Sequence, residues 1–228
     1  MIAERLQAVR DRIAAACARS GRATSEVTLV AVSKTHPAAA VREAFAAGVR
    51  DFGENRVQEA EGKAAELADL RAASLRWHLI GHLQANKAKK AGALFDLVHS
   101  VDDAALGARL DRSAAEAGRV LPVLVQVDLA GEATKFGLEE SSLLSTLESL
   151  RGLGSLRVEG LMVLPPYSDD PEATRPFFRR LRALRDRAVS GGLCGRQLSM
   201  GMSHDFEVAI EEGATLVRVG TALFGARS

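Results

Sequence analysis

Apolar positions along this chain fall into two rhythms that take turns. MIAERLQAVRDRIAAACARSG sets Ile2, Leu6, Val9 and Ile13 three or four residues apart among charged neighbours, which predicts an amphipathic helix over residues 1–20. From Thr28 onward, short apolar runs alternate with helical stretches. The runs predict strands at Thr28–Lys34, Asp51–Glu54, Trp77–Gly81, Leu97–Val101, Pro122–Leu129, Val158–Leu164, Gln197–Gly201 and Leu216–Gly220. Between them lie helical patterns such as AAAVREAFAAG, DDAALGARLDRSAAEAG and PEATRPFFRRLRALRDRAVSGG, several closed by a glycine.

Parallel strands need crossover helices, so eight strand–helix repeats with no linker between them predict an α/β fold, a (β/α)8 TIM-type barrel with an extra N-terminal helix packed outside the first strand. A doubly wound open sheet is the alternative architecture. At 228 residues the chain suits one barrel domain spanning 1–228.

In such a barrel, chemistry gathers at the C-terminal ends of the strands. Lysine is scarce: Lys34, Lys63, Lys87, Lys89, Lys90 and Lys135 are six of 30 basic residues, and the other 24 are arginine, which cannot serve as an amine nucleophile. Lys34 ends the first strand, LVAVSK. Strand alternation places it on one face with Val30 and Val32. Turned into the barrel mouth, its amine loses water, becomes easier to deprotonate and can attack a carbonyl. The alternative is a strand-end lysine paired with a carboxylate or reaching solvent.

The last strand, TLVRVG, carries Arg218 on one face with Leu216 and Gly220. A cation there requires a partner, either structural, such as Glu54, or a ligand. The loops after the seventh and eighth strands, GMSHDF and VGTALFG, offer small residues, helix starts and the hydroxyls of Ser203 and Thr221, the composition of an anion grip. Each is also readable as capping alone.

Other candidates are weaker. The five histidines, His36, His78, His82, His99 and His204, are read as structural or polar contacts, with His82 placed to touch a ligand after the third strand. Nothing sets a spacing between Asp128 and Glu132 for a paired-carboxylate mechanism. NKAKK and RRLRALRDR read as solvated helix faces, with Lys87 and Lys135 near the mouth. Cys17 and Cys194 lack metal or disulfide spacing and are expected to be reduced thiols. A net charge of +1 argues against nucleic acid as main partner, and no segment has the apolar length of a membrane span. The expected compartment is the cytoplasm.

Taken in order, AVSKTHP, DFGENRVQEA, WHLIGHLQANK, VHSVD, VQVDLAGEATKFGL, GLMVL, LSMGMSHDFEVAI and VRVGTALFG resemble the pyridoxal phosphate homeostasis protein family, related to the barrel domain of alanine racemases. The resemblance implies that Lys34 carries pyridoxal 5′-phosphate as a Schiff base, that Ser203, Gly220 and Thr221 hold its phosphate, and that Arg218 faces the pyridine nitrogen. Asn55 and Met200 are implied to line the cofactor. It further implies a non-catalytic carrier, expected to be monomeric, that manages cofactor supply and passes it to cofactor-dependent apo-enzymes. Related racemases take a second acid/base, a tyrosine, from an added domain. This chain, ending at Ser228, is expected to lack that domain, and its sole tyrosine, Tyr167, has no assigned role. Two other activities share the same lysine: an amino-acid racemase using the same cofactor, and a cofactor-free Schiff-base aldolase acting on a phosphorylated sugar.

Overall fold

The structure, a computed structural model, describes residues 1–131 and 136–225. Among these residues the strands are β1 Thr28–Val32, β2 Asp51–Glu54, β3 Arg76–Leu79, β4 Leu97–Val101, β5 Leu121–Asp128, β6 Leu138–Glu139, β7 Leu156–Met162, β8 Gln197–Met202 and β9 Leu216–Val219. The helices are α1 Ile2–Arg19, α2 Ala38–Ala46, α3 Val57–Glu66, α4 Ala68–Ala72, α5 Ala88–Leu94, α6 Ala104–Glu116, α7 Leu143–Arg151, α8 Arg175–Ser190, α9 Phe206–Glu211 and α10 Thr221–Phe224.

The strands pair in parallel in the order β4-β3-β2-β1-β9-β8-β7-β5, and β4 pairs with β5 to close the ring. This is the eight-stranded (β/α)8 barrel expected from the alternation of elements. The two-residue β6 pairs with the end of β5 outside the ring. An open sheet is thereby excluded.

Strand alternation sorts side chains into two shells. Val30, Leu124, Met162 and Leu216 form an apolar cluster inside the barrel. Phe52, Trp77, Phe95, Phe178 and Phe206 belong to the larger cluster between barrel and helices. Space inside is short: a Cβ on Gly53 would lie 3.1 Å from both Val30 Cγ1 and Ile80 Cδ1.

Helix α1 is the extra N-terminal helix expected outside the barrel. It rests on α2, α9 and α10, across the seam between the first and last barrel strands. After β9 only the single turn of α10 follows among the described residues, so α1 covers the place an eighth crossover helix would occupy. Its buried Leu6, Val9 and Ile13 each contribute about 1.5–3 kcal/mol relative to exposure. The barrel is thus sealed from its opposite end in sequence.

Candidate functional site

β1 stops at Val32, two residues short of the expected end, because the chain turns there. The His36 N–H donates to the Ser33 carbonyl at 3.0 Å, and Thr35 adopts φ +66°. Lys34 and Thr35 are the central residues of this turn, with the left-handed conformation at its third position. A threonine in that region is strained, so the surroundings must hold it.

They hold it from two sides. Lys63 Nζ donates to the Ser33 carbonyl at 2.7 Å, to Glu54 Oε1 at 2.7 Å and to Glu59 Oε1 at 2.8 Å. The Ser33 hydroxyl donates to Glu54 Oε1, and the Thr35 N–H to Glu59 Oε1. On the other side the His36 ring stacks on Phe224 of α10, with centroids 4.9 Å apart. Lys34, half-buried, is therefore presented by a clamped turn.

Arg218 lies in the neighbouring strand. β1 and β9 are in register with Val30 opposite Arg218, and the guanidinium is buried. Its partners are the Ser199 hydroxyl and the Val163 carbonyl, which accepts from Nη2 at 2.9 Å. Glu54, one expected partner, instead pairs with Lys63. Burial pushes the Arg218 pKa down to about 10, with the charge of Asp205 opposing, so the group stays cationic at neutral pH.

One register step beyond Arg218 on the same face is Gly220, where a Cβ would lie 3.4 Å from Val32 Cβ. The N–H groups of Gly220 and Ala222 both donate to Ser203 Oγ, at 3.2 and 3.3 Å. Two backbone donors therefore converge on one hydroxyl, whose own hydrogen is a donor for an anionic oxygen. Thr221, between them, is exposed. Gly201 makes this approach possible. With φ +91°, it brings the chain so near α9 that a Cβ would lie 2.9 Å from Phe206 Cα. Amine, anion donors and buried cation thus share the β8–β9–β1 sector of the mouth, a donor set that suits a phosphorylated aldehyde.

The remaining expectations divide. Asn55, half-buried after β2, lines a cavity of about 560 Å³ with Gly81, His82 and Lys87, on the neighbouring side of the mouth. Met200 is a correction. It is fully buried in the cluster between barrel and helices, so its side chain does not line the mouth. His82 stacks on Phe136, centroids 3.6 Å apart, and faces Asp102 at 3.4 Å. Asp128 caps its own turn, accepting from the N–H groups of Ala130 and Gly131. Glu132 and Lys135 lie outside the described residues. Tyr167 is exposed, its hydroxyl donating to Asp169 at 3.0 Å and its ring tilted against His204.

Sequence reasoning missed Lys63. The signal was present, since Val57, Ala60 and Lys63 form one buried stripe of α3, and a lysine on such a stripe needs a buried partner.

Residues 5–228 match the family described as alanine racemase, N-terminal domain. A pyridoxal phosphate homeostasis protein of Aquifex aeolicus is 46% identical over 225 residues, covering 98% of this chain and 97% of that one. Its counterpart in Pseudomonas aeruginosa is 48% identical, covering 99% and 96%. PipY of Synechococcus elongatus, solved with PLP bound, superposes with a TM-score of 0.87 at 46% identity over 99% of this chain and 100% of that one. An alanine racemase of Clostridium difficile shares the fold at 15% identity, with a TM-score of 0.71 over 89% of this chain and 56% of its own.

Proposed function

This chain belongs to the alanine racemase N-terminal domain family, and from that membership we propose that it holds pyridoxal 5′-phosphate on Lys34 and takes part in managing the cofactor's supply. One observation carries the reading: the β1–β9 register sets the Lys34 turn beside the Gly220–Ala222 donors, with Arg218 in the wall beneath. When bound, the cofactor supplies an aldehyde that condenses reversibly with a primary amine, and an aromatic ring that can withdraw electrons.

Each residue has a task. The clamped turn orients the Lys34 amine and partly strips it of water. Ser203, Gly220 and Thr221 would hold the phosphate ester through hydroxyl and amide donors. Asn55 borders the mouth on the β2 side. With the cofactor bound, Arg218 would present a cation toward the ring nitrogen, which would disfavour a proton there and weaken the ring's pull on electrons. That arrangement suits storage and transfer better than racemisation.

A racemase also needs a second acid/base opposite the lysine. The one tyrosine, Tyr167, is 76% exposed and bonded to Asp169, which raises its pKa. We therefore read the chain as a monomeric cytoplasmic carrier whose recipients are cofactor-dependent apo-enzymes. It requires neither nucleic acid nor membrane, and no helix among the described residues is long and apolar enough to cross one.

The test has two arms. Pyridoxal 5′-phosphate added to the protein gives a long-wavelength absorbance that Lys34→Ala abolishes. Amino acids incubated with the loaded protein in deuterated water acquire no Cα deuterium at turnover rates. Lys34-dependent exchange at such rates would make the protein a racemase.

A further inference from the structure

The barrel interior is not wholly apolar. Behind Arg218 a file of buried polar side chains crosses it from wall to floor: Ser199 on β8, His99 on β4, His78 on β3 and Asp51 on β2. Arg218 Nη1 donates to Ser199 Oγ, which lies 2.8 Å from His99 Nδ1. His99 Nε2 lies 2.9 Å from His78 Nδ1, and His78 Nε2 lies 2.9 Å from Asp51 Oδ1. Asp51 is in turn forked by Arg76, through Nε and Nη2, each at 2.6 Å. Asp51, Arg76 and His78 line a cavity of about 330 Å³ at the floor of the barrel.

Both ends of this file have fixed polarity. A guanidinium only donates, and an ionised carboxylate only accepts. With neutral imidazoles, one assignment satisfies every contact. Ser199 accepts from Arg218 and donates to His99 Nδ1. His99 Nε2–H donates to His78 Nδ1, and His78 Nε2–H donates to Asp51. Reversing the middle links would require both nitrogens of His78 to carry protons. That would add a second buried cation to Arg218 while Arg76 already balances Asp51. Burial in particular, and next the neighbouring His78 and Arg218, pushes the His99 pKa well below its ordinary value.

We infer that Ser199, His99, His78 and Asp51 form a one-directional hydrogen-bonded relay that positions Arg218 for the ligand ring. The residues are positioning residues and touch no ligand. With Nη1 fixed on Ser199 and Nη2 on the Val163 carbonyl, the guanidinium cannot swing, so the relay sets which way its charge faces. The inference rests on the cofactor reading for its ligand, while the relay's polarity stands without it.

The two are tested separately. In the unloaded full chain with 15N-labelled histidine, the relay predicts neutral Nε2–H tautomers for both His78 and His99, with a scalar coupling across the His99 Nε2–H···Nδ1 His78 bond. Protonation of His99 on Nδ1 would overturn the polarity. For the loaded protein, borohydride reduction and mass spectrometry first establish the pyridoxyl adduct on Lys34. Its absence from the wild type defeats the cofactor reading and leaves the tautomer result intact.

Given the adduct, His99→Leu removes the acceptor that orients the Ser199 hydroxyl, shifts the absorbance maximum of the bound cofactor and weakens its binding about tenfold, the worth of one hydrogen bond. His99→Gln, which keeps one acceptor and one donor, retains the wild-type spectrum. Should His99→Leu not fold, Ser199→Ala breaks the same chain at its small end and predicts the same shift. A wild-type spectrum and affinity in whichever of these two variants folds overturns the positioning role.

Discussion

Lys63 Nζ donates to the carbonyl oxygen of Ser33 at 2.7 Å, immediately before Lys34, so one buried lysine fixes the backbone that presents another. The same ammonium pairs with Glu54, whose second oxygen, Oε2, is buried with no hydrogen-bond partner among the described residues. Burial raises the Glu54 pKa even against the bonds from Lys63 and Ser33. The pair is therefore held under strain of desolvation beneath the turn.

Removing one member of such a pair is costlier than removing both. Lys63→Met leaves a buried carboxylate uncompensated and is expected to destabilise the fold by about 3–5 kcal/mol. Lys63→Met with Glu54→Leu recovers most of that loss. Urea unfolding of the two variants measures the difference, and equal stability would mean that the pair contributes nothing specific.

The anion donors make a separate prediction. Ser203→Ala removes the hydroxyl on which the Gly220 and Ala222 N–H groups converge. Affinity for pyridoxal 5′-phosphate falls about tenfold, the worth of a charge-assisted hydrogen bond, while affinity for unphosphorylated pyridoxal is unchanged. Equilibrium titration with both ligands reads this directly. An equal loss for both would place Ser203 away from the phosphate.

Close backbone packing at the mouth predicts a third effect. A Cβ on Gly81 would lie 2.4 Å from the Asn55 carbonyl oxygen, backbone that cannot rotate away. Gly81→Ala is expected to cost about 1–3 kcal/mol, seen as a lowered thermal midpoint. An unchanged midpoint would show that the β2 and β3 loops separate freely.

At the floor of the barrel, Asp51 gives a pH dependence. Burial alone would raise its pKa, but hydrogen bonds from His78 and Arg76 hold it down from 3.8 to about 2. A pKa depressed by folding stabilises fully above the unfolded value and is lost as pH falls through the folded one. Asp51 thus contributes about 2 kcal/mol above pH ~4, lost toward pH ~2. Asp51→Asn should flatten the acid limb of stability over that interval, as followed by urea unfolding at each pH.

Much of this was legible in residue order. Eight short, mostly apolar runs set between helical stretches announced a closed parallel barrel, because parallel neighbours leave few other ways to connect. Lys34 and Arg218 stood out as charges on short apolar strands, and the register, with Val30 opposite Arg218, shows that their strands are neighbours. Strand ends were less legible. β1 loses two expected residues to the Thr35 turn, whose left-handed conformation is imposed by Glu59 and Lys63 from α3 and has no local signature. Met200 faces the helices because it follows Ser199, whose side chain turns inward to Arg218, and residue order alone left open which face of that strand points inward. The His99–Ser199 contact joins residues 100 apart on β4 and β8, and no local pattern specifies which inward groups meet across a barrel.

The most direct test of the account is to load the protein with pyridoxal 5′-phosphate, reduce it with borohydride, digest it and map the modified peptide by mass spectrometry. A single pyridoxyl-phosphate adduct on Lys34, absent from Lys34→Ala, is the expected result. An adduct on another lysine with Lys34 unmodified, or none at all, would contradict it.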